Sequence, residues 1–175
     1  MSVPRICRAA LFSAFTLAAL PGCSSDSGTR GTSNQTSIAD VLLEGKATED
    51  ELRVVLGNEA DDWAWAGGAF DTPEDGQALP AAAPFEFSWR SDPVISEPGK
   101  NEASYLLVFS SPGNGKLLRV FTTLSTYTPS AGDWDKLVQA GAAITLNITG
   151  ATFADGVLVE EGGPHAGQTL TFTVE

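Results

Sequence analysis

The spacing of apolar residues along the chain changes once, from a helical period to a period of two. In the first part, two segments begin with the spacing of a capping box, Ser37 with Asp40 and Thr48 with Glu51. Apolar residues follow each of them at the three- and four-residue intervals of an amphipathic helix. The pattern therefore predicts one or two short N-terminal helices within residues 38–58.

Beyond Gly57, which is a typical helix end, apolar and polar residues alternate. Alternation places one side of an extended segment on a core and the other side in water. Because no β-α unit is repeated, a sandwich of antiparallel strands is favoured over a parallel α/β fold. The predicted strands cover residues 63–70, 85–89, 105–109, 117–121, 124–128, 144–148, 157–160 and 170–174.

Two of these strands, residues 105–109 and 117–121, are predicted to form a β-hairpin. The sequence between them contains Pro-Gly-Asn-Gly, which is typical of a tight turn. A short helical insertion is predicted near Trp134, with Ser130 or Asp133 as its N-cap. The predicted fold is therefore mainly β, an antiparallel sandwich with short helices at its N-terminal end and near Trp134.

The segment from residue 84 to residue 175 carries aromatic residues in an order found in a known class of sandwich. Trp89 lies in an early strand, Tyr105 opens the next, and Tyr127 precedes a Thr-Pro pair. In this order the segment resembles fibronectin type III and immunoglobulin-like domains, whose corresponding tryptophan and tyrosine are core residues. The resemblance implies an immunoglobulin-like architecture and transfers no functional residues.

The N-terminal 22 residues have the three-part build of a secretory signal. Arg5 and Arg8 form a cationic start, and residues 9–20 form an apolar run. This run is shorter than the roughly 20 residues that a membrane-spanning helix needs. The segment therefore predicts export and not a stable membrane span.

The signal ends in the sequence Leu20, Pro21, Gly22 and Cys23. With Gly22 directly before the cysteine and Leu20 three residues before it, this junction resembles the lipobox of bacterial lipoproteins. The resemblance implies that signal peptidase recognises the junction and that the cysteine is acylated to become the first mature residue. Pro21 departs from the pattern, which more often has a small or branched residue there. An ordinary cleaved signal with an incidental cysteine is the alternative.

Residues 24–37 are polar, a composition that predicts a flexible tether. A coil of this length spans about 20 Å. Ser24 and Ser25 are not acidic, which by resemblance to known sorting rules favours the outer membrane over the inner one. The predicted organisation is a signal peptide at 1–22, a tether with acylated Cys23 at 23–37, a helical segment at 38–58 and a sandwich at 59–175.

The charge of the chain excludes some classes of partner. Its net charge is −12, and loss of Arg5 and Arg8 with the signal lowers it by two further units. Such a surface repels nucleic acid and anionic lipid, so neither is predicted as a direct partner. The acyl chains on Cys23 would then be the whole attachment to the membrane. Because Cys7 leaves with the signal, no disulfide is predicted.

Residues typical of catalysis are few. His165, the single histidine, lies in a Gly-rich loop and is predicted to be an exposed loop residue and not a general base or metal ligand. No nucleophile-elbow pattern occurs. Glu160 and Glu161 are adjacent and would point to opposite sides of a strand, so they do not form a facing pair. The sequence therefore predicts neither an enzyme nor a cofactor.

An acidic loop that begins at Asp71 matches part of the pattern of a calcium site. Asp71 and Asp75 occupy the first and fifth places of an EF-hand loop, but the third place is proline and the twelfth is alanine. The EF-hand interpretation fails. A looser calcium site using these residues with Asp61 or Asp62 stays open beside the alternative of a solvated acidic loop.

Trp63 and Trp65 are the one sequence feature that suggests a ligand. Two residues apart on a predicted strand, they would share a face and could form a platform for a sugar or a partner. The alternative is that both indoles lie in the core.

The sequence favours a non-catalytic, lipid-anchored lipoprotein of the cell envelope that recognises or supports another envelope protein. A carbohydrate-binding module that uses Trp63 and Trp65 is the first alternative. A hydrolase without a readable motif is the second.

Overall fold

A computed structural model describes residues 38–92 and 101–175, apart from the side chain of Trp65. The predicted signal, Cys23 and the tether lie outside the described residues, so the predictions made for them stay predictions. Among the residues described, no helix is long and apolar enough to cross a membrane.

The described chain forms ten strands and three helices. The strands are β1 (Val41–Glu44), β2 (Ala69–Thr72), β3 (Ala78–Leu79), β4 (Phe87–Arg90), β5 (Asn101–Ser111), β6 (Asn114–Thr122), β7 (Thr126–Tyr127), β8 (Ile144–Ala154), β9 (Val157–Leu158) and β10 (His165–Val174). The helices are α1 (Glu49–Gly57), α2 (Ala64–Gly67) and α3 (Ala131–Gln139).

The strands form two sheets. The large sheet has the order β1-β6-β5-β8-β10-β3, with β9 beside β8, and the small sheet has the order β2-β4-β7. The predicted mainly β class is confirmed. The large sheet is mixed, however, because β1 pairs in parallel with β6 and β3 pairs in parallel with β10. The prediction that all strands are antiparallel is therefore wrong.

The large sheet is covered on both faces. Along β5, Tyr105, Leu107 and Phe109 belong to one apolar cluster, and Leu106 and Val108 belong to the other. This division follows from the alternation of side chains along a strand. A strand buried on both faces reads as a continuous apolar run, as β5 does.

The first cluster lies between the two sheets and includes α3. The ring centroid of Phe87 lies 5.2 Å from that of Phe109 and 5.4 Å from that of Phe172. Each aromatic pair stabilises the fold by about 0.5–1.5 kcal/mol beyond the contribution from burying its surface area. Trp134 on α3 is also buried, and its indole Nε1 donates to the carbonyl of Ala81 at 3.1 Å. The small sheet and α3 are thus fixed to the large sheet by one shared core.

The second cluster places α1 on the opposite face of the large sheet. Thr48 and Glu51 form the predicted capping box, with Glu51 N donating to Thr48 Oγ1 and Thr48 N donating to the Glu51 carboxylate. Leu52 and Val55 of α1 pack against the buried Phe121 of β6. The second predicted N-terminal helix is therefore confirmed.

The first predicted N-terminal helix is wrong, because residues 41–44 form β1. Ser37 lies outside the described residues, and the Asp40 carboxylate pairs with the guanidinium of the buried Arg119 on β6. A helix of one or two turns gains little on its own. Parallel pairing with β6, which sets Val41 opposite Arg119, gives this segment a ladder of hydrogen bonds instead.

The strand predicted over residues 63–70 is wrong in its first half, where the chain forms α2. Glycines allow α2 to lie directly on the large sheet. A Cβ on Gly67 would lie 2.3 Å from the backbone nitrogen of Gly167 on β10, and a Cβ on Gly150 of β8 would lie 2.5 Å from the Ala66 carbonyl oxygen. The backbones meet more closely than any side chain would permit.

Other predicted elements are confirmed. β5 and β6 form the predicted hairpin, with Ser111 opposite Asn114 at its turn. Ser130 is the N-cap of α3, and its hydroxyl accepts from Asp133 N at 3.2 Å. The strands predicted at 124–128 and 157–160 are present but shorter, as β7 and β9.

Candidate functional site

Few large apolar side chains of the described residues are exposed, and all but Val157 belong to two places on the surface. Three of them, Leu42, Leu43 and Leu124, form what we call the leucine edge, and Trp63 lies elsewhere beside His165. Val157 is exposed at the short β9 hairpin. The two places differ in chemistry and are described in turn.

The leucine edge follows from the position of β1 at the end of the large sheet. Leu42 is 40% exposed and Leu43 is 39% exposed. Being adjacent in a strand, their side chains point to opposite faces of the sheet. Leu124 joins them at the end of β1, where a Cβ on Gly45 would lie 3.3 Å from Leu124 Cγ. The edge is therefore apolar on both faces.

A shallow pocket of about 310 Å³ adjoins the leucine edge. Lys46 Nζ and Glu102 Oε1 form an ion pair of 2.6 Å within its lining. The hydrogen bond and the charge of Glu102 raise the pKa of Lys46. Thr123 Oγ1 accepts from Lys46 N at 3.0 Å and so fixes the chain after β1. The pocket is polar on one side and bounded by Leu124 on the other.

Acidic residues flank the leucine edge. Desolvation acts to raise the pKa of Asp40, but the hydrogen bond and positive charge of Arg119 outweigh it and hold the pKa below its usual value. Burial, with the negative charge of Asp133, raises the pKa of Glu44. Asp40 is thus paired with a buried cation, and a carboxyl group lies at each end of β1.

The second place is built around His165. This residue opens β10 and is 2% exposed, so the prediction of an exposed loop histidine is wrong. Its Nδ1 contacts the Asp61 carboxylate, and its Nε2 lies 2.9 Å from the Glu161 carbonyl oxygen. Both partners are hydrogen-bond acceptors, so both ring nitrogens of His165 are engaged.

The engagement of both ring nitrogens bears on catalysis. A general base needs a free nitrogen within reach of the proton that it removes. In this structure Asp61 and Glu161 occupy the two nitrogens of His165, and the ring is buried. The ring as it lies here braces the segment around Asp61 through both of its nitrogens.

Asp61 and Trp63 are held against this histidine. Asp61 N donates to the Pro164 carbonyl at 3.1 Å, and Ala166 N donates to the Asp61 carbonyl at 2.7 Å. The Trp63 ring meets the His165 ring edge-on, with the centroids 5.0 Å apart and the planes at 74°. We call Asp61, Trp63 and His165 the Trp63 site.

The platform proposed for Trp63 and Trp65 loses its geometric basis. The predicted strand would have put the two side chains on one face, but Trp63 is the N-cap of α2 and Trp65 lies within that helix. Trp63 is 46% exposed. The side chain of Trp65 lies outside the described residues, so its part in a platform stays a prediction.

The residues considered for calcium make other contacts. Asp71 forms an ion pair with Arg90, and Asp75 Oδ1 accepts from Thr171 N at 2.7 Å. In the part of the chain that the structure describes, no group of three or more histidine, cysteine, aspartate or glutamate side chains could hold a metal ion. The residues predicted for processing and lipidation, Leu20, Pro21, Gly22 and Cys23, lie outside the described part.

Sequence comparison adds no family to this description. No protein-family model matches the chain, and no curated protein matches it. The function is therefore argued from the leucine edge and the Trp63 site. Neither β1 nor the pairing of Asp61 with His165 followed from the sequence, although the apolar run in Val-Leu-Leu-Glu was a signal compatible with a strand.

Proposed function

We propose that this chain is a non-catalytic, lipid-anchored lipoprotein of the cell envelope, and that its domain recognises another envelope protein through the leucine edge. The observation that carries the proposal is the terminal position of β1 combined with the exposure of Leu42 and Leu43. The resemblance of residues 84–175 to immunoglobulin-like sandwiches is part of the proposal. It is supported by the buried pair of Trp89 and Tyr105, whose rings lie 5.6 Å apart.

A terminal strand offers its outer backbone groups to any extended segment that comes alongside. Natural proteins usually protect such edges with charges, prolines or covering loops. β1 carries two adjacent leucines instead, each exposed by about two fifths. An extended segment of a partner could add to the sheet here, with backbone hydrogen bonds and apolar contacts on both faces.

The charge of the domain indicates the kind of segment that fits. The chain has 22 acidic and 10 basic residues, and Asp40 and Glu44 lie at the two ends of the leucine edge. An apolar segment flanked by lysine or arginine would match this edge in both respects. A second copy of the same acidic domain would not.

The position of β1 in the chain agrees with this function. β1 follows shortly after the predicted tether, so acylation at Cys23 would hold the leucine edge within a few tens of ångströms of the membrane. By the sorting resemblance, we propose that this membrane is the outer one. A membrane-bound partner in the same leaflet would meet the edge at a high effective concentration.

The test is site-specific photo-crosslinking in the native cell. A photoreactive residue replaces Leu43, and the same residue replaces Val157, which is 69% exposed but belongs to a different hairpin. We expect one protein of defined mass to be crosslinked from position 43 and none from position 157. Equal crosslinking from both positions, or none from position 43, would contradict the proposal.

A substitution tests whether the crosslinked protein binds the leucine edge or only lies near it. Leu43→Lys puts a cation on an exposed side chain and should reduce crosslinking from a probe at Leu42 at least tenfold, whereas Val157→Lys should leave it unchanged. Thermal melting of both variants checks that the fold is retained. Undiminished crosslinking in Leu43→Lys would show that the leucine edge is not the surface recognised.

The non-catalytic part of the proposal has its own test. The purified domain without lipid is incubated with a broad set of ester, peptide, phosphate and glycoside substrates. We expect no turnover above buffer. Turnover that purifies together with the domain would favour the hydrolase alternative.

A further inference from the structure

We propose that Trp63 and Asp61 form a binding subsite for one neutral pyranose ring of a glycan with equatorial hydroxyls. The subsite is separate from the leucine edge and does not depend on the function proposed for that edge. It rests on the exposure of one indole, the rigidity of its support and the carboxylate beside it.

Among the three tryptophans whose side chains the structure describes, Trp63 alone is exposed. Trp89 is 3% exposed and Trp134 is 2% exposed, and both belong to the core between the sheets. Trp63 is 46% exposed, although it lies next to the buried His165. A large aromatic surface is thus left open to solvent at a position that the fold could have buried.

The support of Trp63 is rigid. Its carbonyl accepts from Gly67 N at 3.0 Å, which closes the single turn of α2. This turn is held on β10 by the close approach of Gly67 and Gly167. On the other side, the backbone of Asp61 is hydrogen-bonded to the strand that contains His165. An indole fixed in this way loses little conformational entropy when a ligand binds.

Asp61 is two residues from Trp63 in sequence, and its carboxylate contacts the same imidazole as the Trp63 indole. An ionised carboxylate has about four acceptor positions, of which the His165 Nδ1 uses one. The Asp61 side chain is 65% exposed. Acceptor positions are therefore open to a ligand that lies on the indole.

These two groups select a recognisable chemistry. A pyranose with equatorial hydroxyls has a face of axial C–H bonds that packs on an aromatic ring and a rim of hydroxyl donors. The C–H face fits the Trp63 indole, and the hydroxyl donors fit the acceptor-only carboxylate of Asp61. The strongly acidic chain, with a net charge of −12, disfavours uronic acids and phosphorylated sugars.

The experiment is an NMR titration of the indole N–H signals with tri-N-acetylchitotriose. The chain has four tryptophans. Trp63→Phe assigns the signal of Trp63, and the buried Trp89 and Trp134 report whether each variant keeps its fold. We expect the Trp63 signal to move saturably at millimolar sugar while the signals of Trp89 and Trp134 stay in place.

Variants test each part of the subsite. Trp63→Ala removes the indole signal, so sugar binding by this variant is measured by isothermal titration calorimetry. We expect no binding. Asp61→Asn should weaken binding about tenfold, the effect of losing a charged acceptor. Asp62→Asn removes the neighbouring charge and should leave the affinity unchanged.

Three results would overturn the proposal. The first is a Trp63 signal that moves with neither tri-N-acetylchitotriose nor cellotriose. The second is an affinity that is unchanged in Trp63→Ala. The third is an equal loss of affinity in Asp61→Asn and Asp62→Asn. Crosslinking at the leucine edge is unaffected by any of them, so failure of this proposal is distinguishable from failure of the proposed function.

Discussion

Two buried tyrosines of this core differ in whether the hydroxyl group has a hydrogen-bond partner. The Tyr105 hydroxyl lies 2.5 Å from the Ser91 hydroxyl. The Tyr127 hydroxyl is buried and has no hydrogen-bond partner among the described residues. Burial raises the pKa of both phenols, and Asp133 and Glu44 raise that of Tyr127 further. The Tyr127 hydroxyl therefore costs desolvation without a compensating bond.

We expect Tyr127→Phe to leave the free energy of unfolding unchanged or to raise it by up to about 1 kcal/mol, because an unsatisfied buried hydroxyl is removed. Tyr105→Phe is the matched control and should lower it by about 0.5–1.5 kcal/mol. Urea denaturation followed by fluorescence measures both. A clear loss of stability in Tyr127→Phe would mean that its hydroxyl has a partner.

At the scale of elements, those that depend on contacts between residues close in sequence could be predicted. The capped ends of α1 and α3 depend on Thr48, Glu51 and Ser130, which lie within three residues of their partners, and both helices were predicted. The hairpin of β5 and β6 has its turn residues in sequence. These features needed no knowledge of the rest of the fold.

The elements that failed are those decided by distant contacts. β1 is a strand because it pairs with β6, which sets Val41 opposite Arg119. α2 replaces a strand because its one glycine, Gly67, meets Gly150 of β8 and Gly167 of β10. His165 is buried because Asp61, 104 residues away in sequence, pairs with it. No local pattern encodes such contacts, and the Trp63 site could not be assembled without them.

The glycine contact under α2 gives a prediction at this scale. Gly67→Ala should destabilise the domain by about 1–3 kcal/mol, because its Cβ would lie 2.3 Å from the backbone of Gly167. Gly57→Ala is the control, since nothing lies within 4 Å of a Cβ at that helical position. Differential scanning calorimetry should show a lower melting temperature for Gly67→Ala alone. Equal effects would contradict the close contact.

The first turn of α3 gives a prediction that depends on pH. Hydrogen bonds from Lys136 and Ser130 hold the pKa of Asp133 below its ordinary value of 3.8. A carboxyl group whose pKa is lowered by folding stabilises the protein above the ordinary value, and the contribution is lost as the pH falls through the lowered one. Asp133→Asn should therefore be less stable than the parent at pH 7.

The difference between Asp133→Asn and the parent should shrink as the pH falls below 3.8. Urea denaturation of Asp133→Asn and the parent at a series of pH values measures it, with Asp135→Asn on the same helix as the control for removing a charge. A difference for Asp133→Asn that is independent of pH would show that its charge does not stabilise α3.

At the scale of the whole molecule, the described part of this acidic chain exposes the leucine edge and the Trp63 indole, and these are the two surfaces proposed for recognition. Nothing in its charge attracts it to an anionic membrane. Under the proposed function, attachment to the membrane would come from the acyl chains on Cys23. Two or more such chains anchor a protein stably, at roughly 0.8 kcal/mol per buried CH₂.

The most direct test is the distribution of Cys23→Ala between membrane and soluble fractions of the native cell, with the parent protein and Cys7→Ala as controls. We expect the parent and Cys7→Ala to be processed and membrane-bound, and Cys23→Ala to stay an uncleaved precursor or to become soluble. A processed, membrane-bound form of Cys23→Ala would contradict the proposal that Cys23 is the whole attachment to the membrane.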